Sequence, residues 1–167
     1  MLRQEKLDFA RNAAADGIVL LKNEKNALPI HMDKEIALFG LSSYRCFRLG
    51  WGSGDMMAQN ISQINEGFKD AGFKLNQDIE DLYLNYVKDL PDQRLMNRDW
   101  DKWTYRQDEV KIDPTVIEAA SKKSDVAVIT LGRNSGEAFD LKDEEGYFRL
   151  HAEEVELVKT VSKFFEI

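Results

Sequence analysis

Apolar residues recur along this chain with two different periods, and the two kinds of segment alternate. Leu7, Ala10 and Ala14 recur at helical spacing, which predicts a helix over residues 4–16 that Gly17 interrupts. Residues 18–21 either extend this helix or form a short extended segment. The same spacing, or a helix-starting signal such as Asp113-Pro114, predicts further helices over residues 58–71, 79–87, 114–123 and 151–165. Short apolar runs predict strands over residues 35–39, 73–75 and 125–131.

This alternation of strands and helices predicts an α/β fold. A mainly parallel sheet with helices on both faces, a three-layer α/β/α sandwich, is the arrangement that buries both kinds of apolar surface. The last helix leads into no further strand, so we expect residues 1–167 to be one partial domain with an incomplete sandwich. Residues 90–111 are polar and aromatic-rich and are predicted to be an insertion. Its aromatic residues either pin it onto the domain or stack on a ligand: Trp100, Trp103 and Tyr105.

Composition narrows the function classes. The chain is 43% hydrophobic and 32% charged, which is typical of a soluble globular protein. Its net charge of −7 disfavours binding to nucleic acid or to an anionic membrane. The sequence contains no run of 18 apolar residues, so it predicts no transmembrane helix. Cys46 is the only cysteine, so no intrachain disulfide can form, and the compartment is not predicted.

The third predicted strand opens into a polar loop that carries one carboxylate. Residues 125–131 are followed by Gly-Arg-Asn-Ser-Gly and then Glu137. In α/β folds ligands bind outside the carboxyl ends of the strands. From this position alone, Glu137 is either a catalytic group or a solvated charge.

A second glycine-bearing loop precedes the second helix. Gly52, Ser53, Gly54 and Asp55 follow Gly50-Trp51, but the third glycine of the dinucleotide-binding fingerprint is replaced by Asp55. A carboxylate facing a pyrophosphate is repulsive, so nucleotide or flavin binding is disfavoured. The loop suits close approach to a neutral polar ligand, with Ser53 as the hydroxyl group.

Other candidate groups predict no metal or cofactor. The acidic residues of the loop after Glu137 do not have EF-hand spacing and are predicted to be solvated: Asp140, Asp143, Glu144 and Glu145. His31 and His151 have no companion ligands at metal-binding spacing, and each is predicted to be a surface or cap residue. Cys46 is predicted to be packed rather than nucleophilic.

Four ordered motifs resemble one family, and together they span nearly the whole chain. Residues 14–24, followed by Leu28-Pro29-Ile30 and a strand that ends in Gly40, are similar to the start of the second domain of glycoside hydrolase family 3. Gly52-Ser53-Gly54-Asp55 looks like that domain's G-S-G-D motif. Residues 124–137 resemble the strand and loop that deliver the general acid/base, and residues 154–161 resemble the helix that follows.

The resemblance implies a retaining, exo-acting glycosidase, most commonly a β-glucosidase acting on a β-glucoside or an oligosaccharide. In that family a (β/α)8 barrel, absent from this chain, supplies the aspartate nucleophile and most contacts to the sugar. Glu137 matches the general acid/base, and Ser53 matches the serine of the loop that borders the sugar site. The chain by itself is expected to be inactive.

Two departures from the family pattern bear on this assignment. Many relatives continue the acid/base motif as S-G-E-G-x-D-R, whereas this chain has Ala138 after Glu137 and Leu141 in place of the arginine. Asp140 is kept. The support of the loop and the substrate preference are therefore left open, and a non-catalytic carbohydrate-binding or protein-interaction module is the alternative function.

Overall fold

The computed structural model describes residues 3–47, 62–91, 107–135 and 141–165 and has an α/β fold. Within these residues three strands form one parallel sheet: β1 (Glu35–Phe39), β2 (Lys74–Leu75) and β3 (Val126–Ile129), in the order β2-β1-β3. The register pairs Ile36 with Val126 and Glu35 with Lys74. The predicted parallel sheet is confirmed.

The central strand forms the core. Residues 36–39 of β1 are completely buried, with 0% exposure of each residue. Every residue of β3 has intermediate exposure, because in the described part of the chain β3 has a neighbouring strand on one side only. The strand predicted over 125–131 is therefore present but shorter and less buried than its apolar sequence suggests.

Residues 3–30 belong to a compact unit of their own. Helix α1 (Arg3–Asp16) matches the predicted helix, has no buried residue and is followed by Gly17, whose N–H bonds back to Ala13 O at 3.1 Å. Residues 18–21 have neither helical nor strand structure, and their side chains are exposed.

The second unit, residues 31–166, contains the sheet and the other described helices. A 3-10 turn, Leu41–Ser43, follows β1. The α-helices are α2 (Ile64–Asp70), α3 (Gln77–Lys88), α4 (Pro114–Ser121) and α5 (Ala152–Phe164). None of the described helices is long and apolar enough to cross a membrane.

Local hydrogen bonds set the helix boundaries. Helix α2 begins at Ile64, later than predicted, because the N–H of Gln63 is already bound by the Glu66 carboxylate at 2.9 Å in a capping arrangement. It is closed by Gly72, which has a φ of +90°. Asp113 caps α4 through Thr115 N at 2.9 Å, as the sequence predicts.

A buried polar cluster ties the amino ends of β1 and β3 to the end of β2. Asn76 accepts a hydrogen bond from Ile79 N at 3.2 Å and so starts α3 two residues earlier than predicted. Its Nδ2 group donates to Ser124 Oγ at 2.8 Å and to Glu35 Oε1 at 3.3 Å. One side chain therefore joins the entry to β1, the end of β2 and the entry to β3.

The carboxyl-terminal part of the predicted insertion belongs to the core. Residues 92–106 lie outside the described residues, but Glu109 is buried and binds two other segments of the domain. Glu109 thus anchors this segment to the end of β1 and to α3, while Asp108 and Lys111 are exposed. The sequence missed this anchor because Glu109 is a charged residue in a polar stretch.

Candidate functional site

The carboxyl ends of β1 and β3 meet so closely that Gly40 is required and little space is left at Gly132. A Cβ on Gly40, which has a φ of +94°, would lie 2.1 Å from Thr130 O. A Cβ on Gly132 would lie 2.1 Å from Ser42 Oγ, on the 3-10 turn that follows β1. The loop after β3 is therefore seated directly on the turn after β1.

A hydroxyl pair fastens this contact. Ser43, which is fully buried, donates from Oγ to Phe39 O at 3.1 Å and lies 2.7 Å from Thr130 Oγ1. The bond joins the exit of β1 to the exit of β3, so the two strand ends cannot separate without exposing buried polar groups.

Glu109 and Tyr83 form a buried network beneath these strand ends. Glu109 accepts hydrogen bonds from Leu41 N at 2.9 Å and from Tyr83 Oη at 3.1 Å, while Gly40 N donates to Tyr83 Oη at 2.8 Å. Tyr83 stacks on Tyr44 with ring centroids 4.8 Å apart, and Tyr44 Oη donates to Leu38 O at 2.8 Å. The backbone at the end of β1 is therefore bound from two directions.

Burial is the largest cause of the pKa shifts of Glu109 and Tyr83. Loss of solvent raises the pKa of Glu109 above its ordinary value, although hydrogen bonds from Leu41 N, Val110 N and Tyr83 oppose the shift. Burial, and then the nearby Glu109 carboxylate, raises the pKa of Tyr83 well above its usual range. Tyr83 is thus a permanent hydrogen-bond donor to Glu109 at neutral pH.

Arg133, in the loop after β3, is bound on several sides. Its Nη1 and Nη2 atoms each lie 2.6 Å from one oxygen of Glu154, near the start of α5. It also donates to Gly132 O at 2.7 Å and to Arg149 O at 3.3 Å. Glu154 in turn accepts from His151 N at 3.1 Å, in the capping position of α5.

Residues 141–150 lie beside this pair and carry exposed charges. Asp143 binds Arg149 through two contacts of 2.7 and 2.8 Å, and Glu145 accepts from Ala152 N at 2.8 Å. His151 is 2% exposed, with Nδ1 2.9 Å from Glu153 Oε2. Both histidines were predicted to be surface or cap residues: His151 occupies the N-cap position of α5 and is buried, and His31 is exposed.

The described residues contain no group of three or more side chains arranged to hold a metal ion. Cys46 donates from Sγ to Ser42 O at 2.9 Å. Burial raises the pKa of its thiol, which favours the protonated and poorly nucleophilic form.

The residues predicted to form the site lie outside the described residues: Glu137, Gly52, Ser53, Gly54 and Asp55. Asp140 and the aromatic residues at 100, 103 and 105 also lie outside them. The structure instead describes both flanks of Glu137, residues 132–135 and 141–150. On these flanks it brings together Arg133, Glu154 and Arg149 O, a set that sequence spacing did not indicate.

Comparison with known proteins decides the family. Residues 18–166 match the glycosyl hydrolase family 3 C-terminal domain. This chain belongs to glycoside hydrolase family 3. The family 3 domain described above is thus the α/β domain that the ordered motifs predict.

Relatives and solved structures of this domain are β-glucosidases. The chain is 30% identical to the beta-glucosidase of Ruminococcus albus over 96% of its own length and 17% of that protein. It superimposes with a TM-score of 0.88 on a beta-glucosidase from Paenibacillus barengoltzii, with 29% identity over 95% of this chain and 17% of the other. Beta-glucosidase 3B from Thermotoga neapolitana, in complex with glycerol, has a TM-score of 0.84 and 34% identity over 97% of this chain and 22% of the other.

The chain therefore spans about a fifth of the length of these proteins, or less.

Proposed function

We propose that this family 3 domain works within a retaining, exo-acting glycosidase, a β-glucosidase, that removes terminal β-linked sugars. The observation that carries the proposal is the match to the family over residues 18–166, with beta-glucosidases as relatives. Glu137 follows β3 in the sequence, five to seven positions after Thr130 and Gly132, which contact the segment after β1. The carboxyl end of a strand is where an α/β fold presents groups to a ligand.

In this mechanism Glu137 is the general acid/base. As an acid it gives its proton to the glycosidic oxygen while a carboxylate nucleophile attacks the anomeric carbon, which releases the leaving group and forms a glycosyl-enzyme. As a base it then takes a proton from the water that attacks the same carbon and frees the nucleophile. The nucleophile comes from the (β/α)8 barrel of the full-length enzyme.

The sugar site is completed by a second loop of this domain. Gly52, Ser53, Gly54 and Asp55 border it in the proposal, with glycines that permit close approach to the sugar and a serine hydroxyl that can accept or donate a hydrogen bond. One solved relative, beta-glucosidase 3B from Thermotoga neapolitana, has been obtained in complex with glucose, the kind of ligand proposed here.

Replacement of Glu137 tests the proposal. In the full-length enzyme we expect Glu137→Ala to lower kcat/KM about 10²- to 10⁴-fold on a β-glucoside with a poor leaving group, because the leaving oxygen needs a proton. With 2,4-dinitrophenyl β-glucoside, which needs none, kcat/KM should change little. Azide should then raise kcat and yield the β-glucosyl azide, since azide attacks the glycosyl-enzyme without a general base.

The matched control is Glu144→Ala, an exposed glutamate of the neighbouring acidic stretch. It should behave as the unmodified enzyme does with every substrate. If Glu137→Ala has unchanged kinetics, Glu137 has no part in the reaction.

A further inference from the structure

The guanidinium group of Arg133 holds together two segments that are distant in sequence. Its Nη1 and Nη2 atoms each donate to one oxygen of Glu154 at 2.6 Å, and Nη2 also donates to Arg149 O at 3.3 Å. Arg133 also donates to Gly132 O, so the side chain folds back onto the backbone of the preceding residue. One residue therefore joins the exit of β3 to the residues that lead into α5.

These contacts involve residues that lie before and after Glu137 in the sequence. Arg133 precedes Glu137 by four positions, and Arg149 follows it by twelve. Arg149 is itself held, because its carbonyl oxygen also accepts from Gly146 N at 2.9 Å. Glu145 anchors the same segment to the first turn of α5 through Ala152 N. Residues before and after Glu137 in the sequence, Arg133 and Glu145, thus both bind α5.

The Arg133–Glu154 ion pair is poorly exposed to solvent and has a fixed bidentate geometry. The side chain of Glu154 is 6% exposed and that of Arg133 is 22% exposed, so the carboxylate is nearly removed from bulk water and relies on the guanidinium group for compensation. Two parallel N–H···O bonds fix the plane of the guanidinium group as well as its distance from the carboxylate. A lysine at position 133 would keep the charge but not this planar geometry.

We propose that Arg133, paired with Glu154, is a positioning residue that holds the Glu137 loop for proton transfer. The inference rests on the proposed function of Glu137. A general acid must lie within hydrogen-bonding reach of the leaving oxygen, and a displacement of about 1 Å can lower a rate about 100-fold. Arg133 contributes no proton and touches no substrate. It acts through the backbone on either side of Glu137.

Kinetics with two leaving groups tests the inference. In the full-length enzyme, Arg133→Met should lower kcat/KM about 10-fold or more on a glucoside with a poor leaving group, because a displaced Glu137 transfers its proton less well. The loss on 2,4-dinitrophenyl β-glucoside, whose leaving group needs no proton, should be about 3-fold or less. KM for the poor substrate should change little, because the barrel supplies most sugar contacts in the proposal.

Two gentler variants keep the test valid if Arg133→Met does not fold. Arg133→Lys retains the positive charge and loses the two parallel hydrogen bonds to Glu154. Glu154→Gln retains the shape of the side chain and loses the ion pair. Each should show the same leaving-group dependence with a smaller loss than Arg133→Met. The matched control is Lys123→Met, which breaks an exposed ion pair with Asp78 before the amino end of β3 and should leave both substrates unaffected.

The outcomes separate the two proposals. Equal losses on both substrates, with a lower melting temperature, would show that Arg133 only stabilises the fold and would overturn its positioning role. A leaving-group effect in Glu137→Ala but not in Arg133→Met, Arg133→Lys or Glu154→Gln would overturn the inference and leave the proposed function intact. Normal kinetics of Glu137→Ala would remove both.

Discussion

Glu109 is the residue whose environment departs most from what its side chain suggests. A glutamate in a polar segment is expected to be solvated, yet Glu109 is buried and accepts hydrogen bonds from Leu41 N and Tyr83 Oη. It stabilises the exit of β1, where the backbone turns into the 3-10 segment. The cost of burying this carboxyl group is visible in its raised pKa.

The raised pKa of Glu109 predicts a pH dependence of stability. Between its unfolded and folded pKa values the folded protein binds the proton more tightly, so this contribution is fully present below about 4.5 and is lost as the pH rises through the folded pKa. Urea unfolding at several pH values should therefore show unmodified protein losing stability relative to Glu109→Gln as the pH rises.

Glu118→Gln is the control for this measurement. Lys122 lowers the pKa of Glu118, first through a hydrogen bond and then through its charge, so the stability contribution of Glu118 is lost as the pH falls. The difference between unmodified protein and Glu118→Gln should have the opposite sign. A pH-independent difference for Glu109→Gln would contradict the assignment of Glu109 as a buried carboxyl with a raised pKa.

At the scale of elements, side-chain caps decide where helices start and how they join the sheet. Asn76 is buried, caps α3 and also binds Ser124 and Glu35 at the amino ends of two strands. Asp113 caps α4 from an exposed position, through Thr115 alone. The two caps therefore differ in how much tertiary structure depends on them.

Replacement of the two caps should give different losses. We expect Asn76→Ala to lower the free energy of unfolding by about 2–3 kcal/mol, because a helix cap and a buried cross-link are lost together. Asp113→Ala should cost about 1 kcal/mol, the usual value for a cap. Chemical denaturation of both variants measures this. Equal losses would mean that the Asn76 cluster adds nothing to the cap.

At the scale of the whole molecule, the chain spans 17–22% of the length of its relatives, and the proposed catalytic pair is divided between two domains. Retaining hydrolysis needs two carboxyl groups about 5 Å apart on opposite sides of the reacting bond. The proposal assigns one of them, Glu137, to this domain and the other to the barrel. A single carboxyl group cannot form and then hydrolyse a glycosyl-enzyme.

The purified 167-residue chain should therefore be inactive. An assay with an aryl β-glucoside should give no release above buffer, while the full-length enzyme releases the aryl group under the same conditions. The Glu137→Ala form of the chain controls for contaminating glycosidase. Turnover by the chain that this substitution abolishes would contradict the division of the catalytic pair.

Local sequence determined most of the secondary structure of this family 3 domain. Helical spacing placed α1, and Asp113-Pro114 placed the start of α4, because both signals act within a few residues. The apolar runs located all three described strands. The alternation of these patterns predicted the α/β class. The resemblance of four ordered motifs predicted the family and implied the roles of Glu137 and of the loop of residues 52–55, which stay predictions.

Tertiary structure alone decided which distant residues meet at the strand ends. Arg133 and Glu154 are 21 positions apart, and Glu109 binds Leu41 across 68 positions. No periodicity links such pairs, because their contact depends on how the strands and helices pack and not on local propensity. The burial of β3 was also decided by its neighbours: its apolar residues can be covered only by the elements that lie beside it.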